Sequence, residues 1–72
     1  MAYDPSPAVF INAARAEAVA DLVRRQSGIT KARIRLHRER GEIKGYTVQA
    51  VAKGAVSTLT NGAFEAMQGA AA

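Results

Sequence analysis

The sequence predicts an α+β fold: an N-terminal helix, an antiparallel β-hairpin or three-stranded meander, and a short C-terminal helix. Three observations carry this expectation. Residues 31–37 read Lys-Ala-Arg-Ile-Arg-Leu-His, the strict two-residue alternation of a half-buried strand. Glycines at 41 and 54 punctuate that region at hairpin spacing. Ahead of it, residues 7–26 are rich in Ala, Val, Leu and charged side chains and end at Ser27-Gly28, a helix followed by its stop signal.

Each element has a local reason. Asp4-Pro5-Ser6-Pro7 reads as a helix entry, with Ser6 as N-cap and Pro7 at the first helical position, where its missing N–H costs nothing. A short arm over residues 1–6 and a helix over 7–26 follow, with Gly28 taking the left-handed conformation past its end. Asp21 and Arg25 stand one turn apart on that helix and suit a surface ion pair. The strand over 31–38 turns Ala32, Ile34 and Leu36 to one face and Lys31, Arg33, Arg35 and His37 to the other.

Residues 39–42 turn, with Gly41 supplying positive φ. A second strand spans 43–52, with Gly45 marking a bulge, and Lys53-Gly54 turns again. Residues 55–60 have β-favouring composition, although Ala55, Val56, Leu59 and Ala63 also sit at helical spacing; a third strand is the preferred reading. Asn61 then caps a helix over 62–68, and residues 69–72 fray. One small domain spans 7–68.

Composition narrows the classes of function. The chain has 72 residues, one His and no Cys, so neither a disulfide nor a zinc site with thiolate ligands can staple it, and no metal or cofactor is expected. A core of this size supplies only about 3–5 kcal/mol, which leaves association as the remaining common staple. The 49% hydrophobic share is largely Ala, and the aromatics are Tyr3, Phe10, Tyr46 and Phe64. Projected on a helix over 7–26, the apolar arc is wider than one sheet covers. It predicts contact with another subunit through Phe10, Ala13, Ala16 and Ala20, in a homo-oligomer or a hetero-assembly.

Charge is uneven. Residues 24–44 hold eight basic against two acidic residues in a chain of net charge +4. The resulting ribbon, with Arg33, Arg35, Arg38 and Arg40 as contacts, points to an acidic protein surface or to a phosphate backbone. No aromatic accompanies the cations for base stacking, which weighs against nucleic acid. His37 would need a nucleophile and an orienting carboxylate for catalysis and has Arg35 as its neighbour along the strand face, Glu39 and Glu42 flank an exposed turn, and the glycines match no phosphate-binding fingerprint. An enzyme and a small-molecule ligand are therefore not expected. No apolar run reaches the length of a membrane span, and the first residues lack the basic-then-apolar order of a signal peptide; the expectation is a soluble protein, cytoplasmic where made.

The order of elements resembles that of double-stranded-RNA-binding domains. Those domains place lysines at the start of the second helix, where this chain has Asn61, Gly62, Ala63 and Phe64. The Ala-rich helix, Ser27-Gly28 leading into Ala32-Arg33-Ile34-Arg35-Leu36, and then Gly45-Tyr46-Thr47-Val48 also resemble the small head–tail joining and tail-completion proteins of long-tailed bacteriophages. Over roughly residues 8–52 that resemblance implies a virion structural subunit at the neck, working by shape and contact. It carries no functional residue across.

Overall fold

A computed structural model describes residues 4–71, with side chains through residue 68. Its elements run α1 (Ala13–Arg24), β1 (Lys31–Glu39), β2 (Glu42–Ala52), β3 (Ala55–Thr58) and α2 (Asn61–Ala71). The strands form one antiparallel sheet in the order β1-β2-β3, the predicted meander. Residues 1–3 of the expected arm and residue 72 of the expected frayed tail lie outside the described residues.

Both hairpins close through two-residue loops. Arg40 and Gly41 have φ of 53° and 81°, and Lys53 and Gly54 have 51° and 80°, the paired positive values whose twist matches that of the flanking strands. The predicted bulge is present: His37 pairs with Gly45 but Arg38 with Ile43, so Lys44 has no partner across the ladder. Strand wins over helix for residues 55–58, where Val56 pairs with Val51 and Thr58 with Gln49.

The first helix departs from expectation. It begins at Ala13, because Asn12 caps it: its Oδ1 accepts from the N–H groups of Ala14 at 2.7 Å and Arg15 at 3.3 Å. Ser6 caps nothing in α1. Residues 7–11 are extended instead, since they find β partners that a helix would deny them. Pro7 bridges Thr60 and Phe10 bridges Tyr46. Ala8 N–H donates to the Leu59 carbonyl at 3.0 Å, and Phe10 exchanges both backbone bonds with Tyr46, at 2.8 and 2.7 Å.

This segment covers the part of the β2 edge that β3 leaves bare. It passes so close to Gly45 (φ 150°) that a Cβ there would lie 2.5 Å from the Phe10 carbonyl oxygen and 2.9 Å from Val9 Cγ1. Glycine is required at that crossing.

The same segment holds α2. Asn61 N–H donates to the Ser6 carbonyl and Gly62 N–H to the Asp4 carbonyl, while Ala63 N–H bonds Thr60 Oγ1 at 3.1 Å. Thr60, not Asn61, is thus the capping side chain, and backbone carbonyls satisfy donors that a helix start would otherwise leave orphaned. Asp4 and Ser6, expected in a free arm, are bonded into the domain. The helix continues through Ala71, past the predicted end at residue 68. Asp4 Oδ1 accepts from Ser6 N–H, and that bond above all holds its carboxyl below the ordinary range.

Core side chains lie between the helices and one sheet face. Ala16, Val19, Ala20 and Val23 of α1 pack over Ala32 and Val48, with Ala8, Phe10 and Leu59 completing the cluster. The Phe10 and Phe64 rings meet edge to face, centroids 5.3 Å apart. Arg24 ties α1 to β1, pairing with Asp21 (where Arg25 was expected) and donating from Nη2 to the Ala32 carbonyl at 2.8 Å.

Two outcomes follow for stability in denaturant titrations. Gly45→Ala should lose about 2–3 kcal/mol, because the new methyl meets backbone, against about 1 kcal/mol for Gly41→Ala, whose Cβ enters open space and meets only the left-handed penalty. Equal losses would remove the crossing as the cause. Asn12→Ala should lose about 1 kcal/mol, with Ser6→Ala leaving α1 helicity by circular dichroism unchanged; the reverse order would restore the longer helix.

Candidate functional site

With α1 and α2 on one face, the other face of the sheet is largely open, Thr47 being its buried exception. Alternation and register together define it. Lys31 stands beside Val51 and Val56, Arg33 beside Gln49 and Thr58, and Arg35 beside Thr47. Those rows all lie on the side opposite Ala32, Ile34 and Val48. One border of the face is cationic, from β1; the other is apolar to neutral, from β2 and β3.

Lys31, Arg33 and Arg35 are exposed, and no carboxylate of the described residues pairs with them. The acids near this region are engaged elsewhere: Glu42 with Lys44 at 2.9 Å, and Glu39 facing His37 Nε2 at 3.8 Å. The cations therefore keep their field for something outside the chain. Burial is partial on the other border, where Val51 is half-buried and Val56 is 52% exposed, so apolar area lies next to the positive charge.

The sequence-based contacts divide. Arg33 and Arg35 share the open face, as expected. Arg38 follows Leu36 in the alternation and stands past the bulge, and Arg40 sits in the hairpin loop; both are exposed and unpaired among the described residues, yet they do not extend the row. The helix arc does not stand as a docking surface. Phe10 (6% exposed), Ala16 and Ala20 (both 0%) are consumed by the chain's own core. Phe10 is not in the helix at all. Only Ala13 of that set is exposed. The arc looked too wide because the projection began at residue 7; once residues 7–11 are extended, the remaining apolar stripe fits one sheet.

Missed in the sequence was the contribution of residues 8–10, which bury Phe10 and lay Val9 beside Gly45. Val9-Phe10-Ile11, three consecutive β-favouring residues directly before Asn12, was the available signal.

Concavities among the described residues include two away from this face. One, of about 550 Å³, is lined by Glu39, Arg40, Glu42 and Lys44 at the hairpin tip. Another, of about 360 Å³, lies between the end of α1 and α2, lined by Val23, Ile29, Leu59 and Met67 among others. Neither brings a nucleophile together with a base. Among the described residues no three His, Asp or Glu side chains group as a metal site, and no helix is long and apolar enough to cross a membrane. No family model, curated protein or solved structure matches this chain.

Proposed function

We propose that this protein is a non-enzymatic subunit of a protein assembly, docking an acidic protein surface on its open sheet face through Lys31, Arg33 and Arg35. The observation that supports the reading is the composition of that face: a row of unpaired cations on β1, with Lys31 opposite Val51 and Val56 one strand further on. Protein interfaces join apolar area to polar and charged rims in this way. A second copy docked face to face would bring like charges together, so the acidic surface belongs to an unlike subunit or to a different side of a like one. The resemblance to head–tail joining and tail-completion proteins suggests a phage virion as the setting.

Binding of nucleic acid by the same cations is the second reading, favoured by the number of basic side chains left unpaired. Against it, Tyr46, Phe10 and Phe64 belong to the helix-covered side and offer no base a platform.

Retention on immobilised polyglutamate and on duplex DNA, at matched ionic strength, separates the two. The expected result is retention on polyglutamate at salt concentrations where DNA has released the chain, with the double variant Arg33→Glu/Arg35→Glu lost from polyglutamate altogether. Tighter binding to DNA, with log K falling steeply against log salt, would transfer the assignment to nucleic acid.

A further inference from the structure

The open face ends at a strand edge, and that edge is unpaired. β1 is an outer strand of the sheet. In an antiparallel pair a residue's N–H and C=O point to the same side, and successive residues alternate sides. Tyr46 exchanges both groups with Phe10, and the Val48 carbonyl accepts from Leu59 N–H at 2.7 Å. Both residues therefore face away from β1. Their cross-strand partners, Leu36 and Ile34, turn their own N–H and C=O groups outward in consequence.

Ala32 faces outward by the same alternation, and there the Arg24 guanidinium fills the carbonyl. Beyond Ala32 no described residue bonds the outward groups of Ile34 or Leu36. Arg24 closes one end of the edge and leaves the next stretch open.

We propose that the β1 edge takes up one further β-strand, supplied by a protein partner whose residues alternate acidic and apolar. The inference rests on the acidic-partner reading above and adds its geometry. Alternate residues of an added strand are about 7 Å apart, the same repeat as Lys31, Arg33 and Arg35. Carboxylates at every second position of the incoming segment can thus meet the three cations one for one on the open face.

Its intervening apolar residues would fall on the other side, beside Ile34 and Leu36, the latter 50% exposed. Backbone bonds to Ile34 and Leu36 supply affinity, and the alternation supplies specificity. A second β1 is a poor occupant, because it sets basic residues directly opposite basic residues on one face.

The full chain is titrated with two short peptides of equal charge, one alternating Glu with Val and one alternating Glu with Pro. The second peptide lacks the backbone donors a strand needs at its Pro positions. Expected is binding of the Glu-Val peptide, with amide exchange at Ile34 and Leu36 slowed about tenfold or more, and no slowing with Glu-Pro. Leu36→Pro, which deletes an outward donor without touching the ladder to β2, should weaken Glu-Val binding about tenfold. If that variant does not fold, the exchange measurement and Arg33→Glu, expected to lose a similar factor, carry the test.

Equal binding of both peptides without slowed exchange would overturn the strand addition while leaving the acidic partner standing. Failure of both peptides to bind, with polyglutamate also unretained, would overturn the two together.

Discussion

The backbone exchange between Phe10 and Tyr46, made possible by the bare Cα of Gly45, is the contact on which the remaining architecture hangs. β3 pairs only with the second half of β2, from Gln49 to Ala52. Without residues 8–10 the first half of the central strand would present unpaired donors and acceptors beside a helix-covered core. With them, the edge is satisfied and Phe10 is delivered under α2, where its ring meets Phe64 edge to face. Such aromatic pairs contribute about 0.5–1.5 kcal/mol beyond the area they bury. In a core whose other buried side chains are Ala, Val and a single Leu, that is a substantial share.

The crossing also organises the second helix. Carbonyls of Asp4 and Ser6 receive the first free N–H groups of α2, so the start of the chain acts as the cap of its end. Two segments far apart in the chain, residues 4–6 and the first turn of α2, are thereby held by each other. The Asp4 carboxylate strengthens the turn that aims those carbonyls, being kept ionised by Ser6 N–H.

Because Ala16 and Ala20 of α1 are spent inside, the face proposed for docking is the outer side of the sheet, with its β1 border. Small residues let α1 lie close to the sheet, and Ala16 and Ala20 are fully covered there. Basic residues at alternate positions of β1 then do two things at once. They keep an outer strand from pairing with its own copy, and they give the face a sign that a partner of opposite charge can read.

Much of this was legible locally. Strict alternation over residues 31–37 named the cationic side of β1, and each Gly-containing loop named its turn, because period and φ are properties of a few neighbouring residues. The placement of Arg33 and Arg35 on one exposed face came from that alternation alone. The start of α1 was not legible, since Pro7, Val9 and Phe10 are compatible with either a helix entry or an extended strand.

That choice fell to Tyr46, Leu59 and Thr60, far along the chain, whose backbone groups reward the extended form. The same long-range pairing removed Phe10 from any outer surface, and the packing of α1 over Ala32 and Val48 removed Ala16 and Ala20. Sequence by itself determined the first two strands, the turns and the charged side of β1, where the physics is local. Which apolar residues remained for a partner, and which strand edge stayed open, only the tertiary structure decided, because both depend on what the chain folds back to cover.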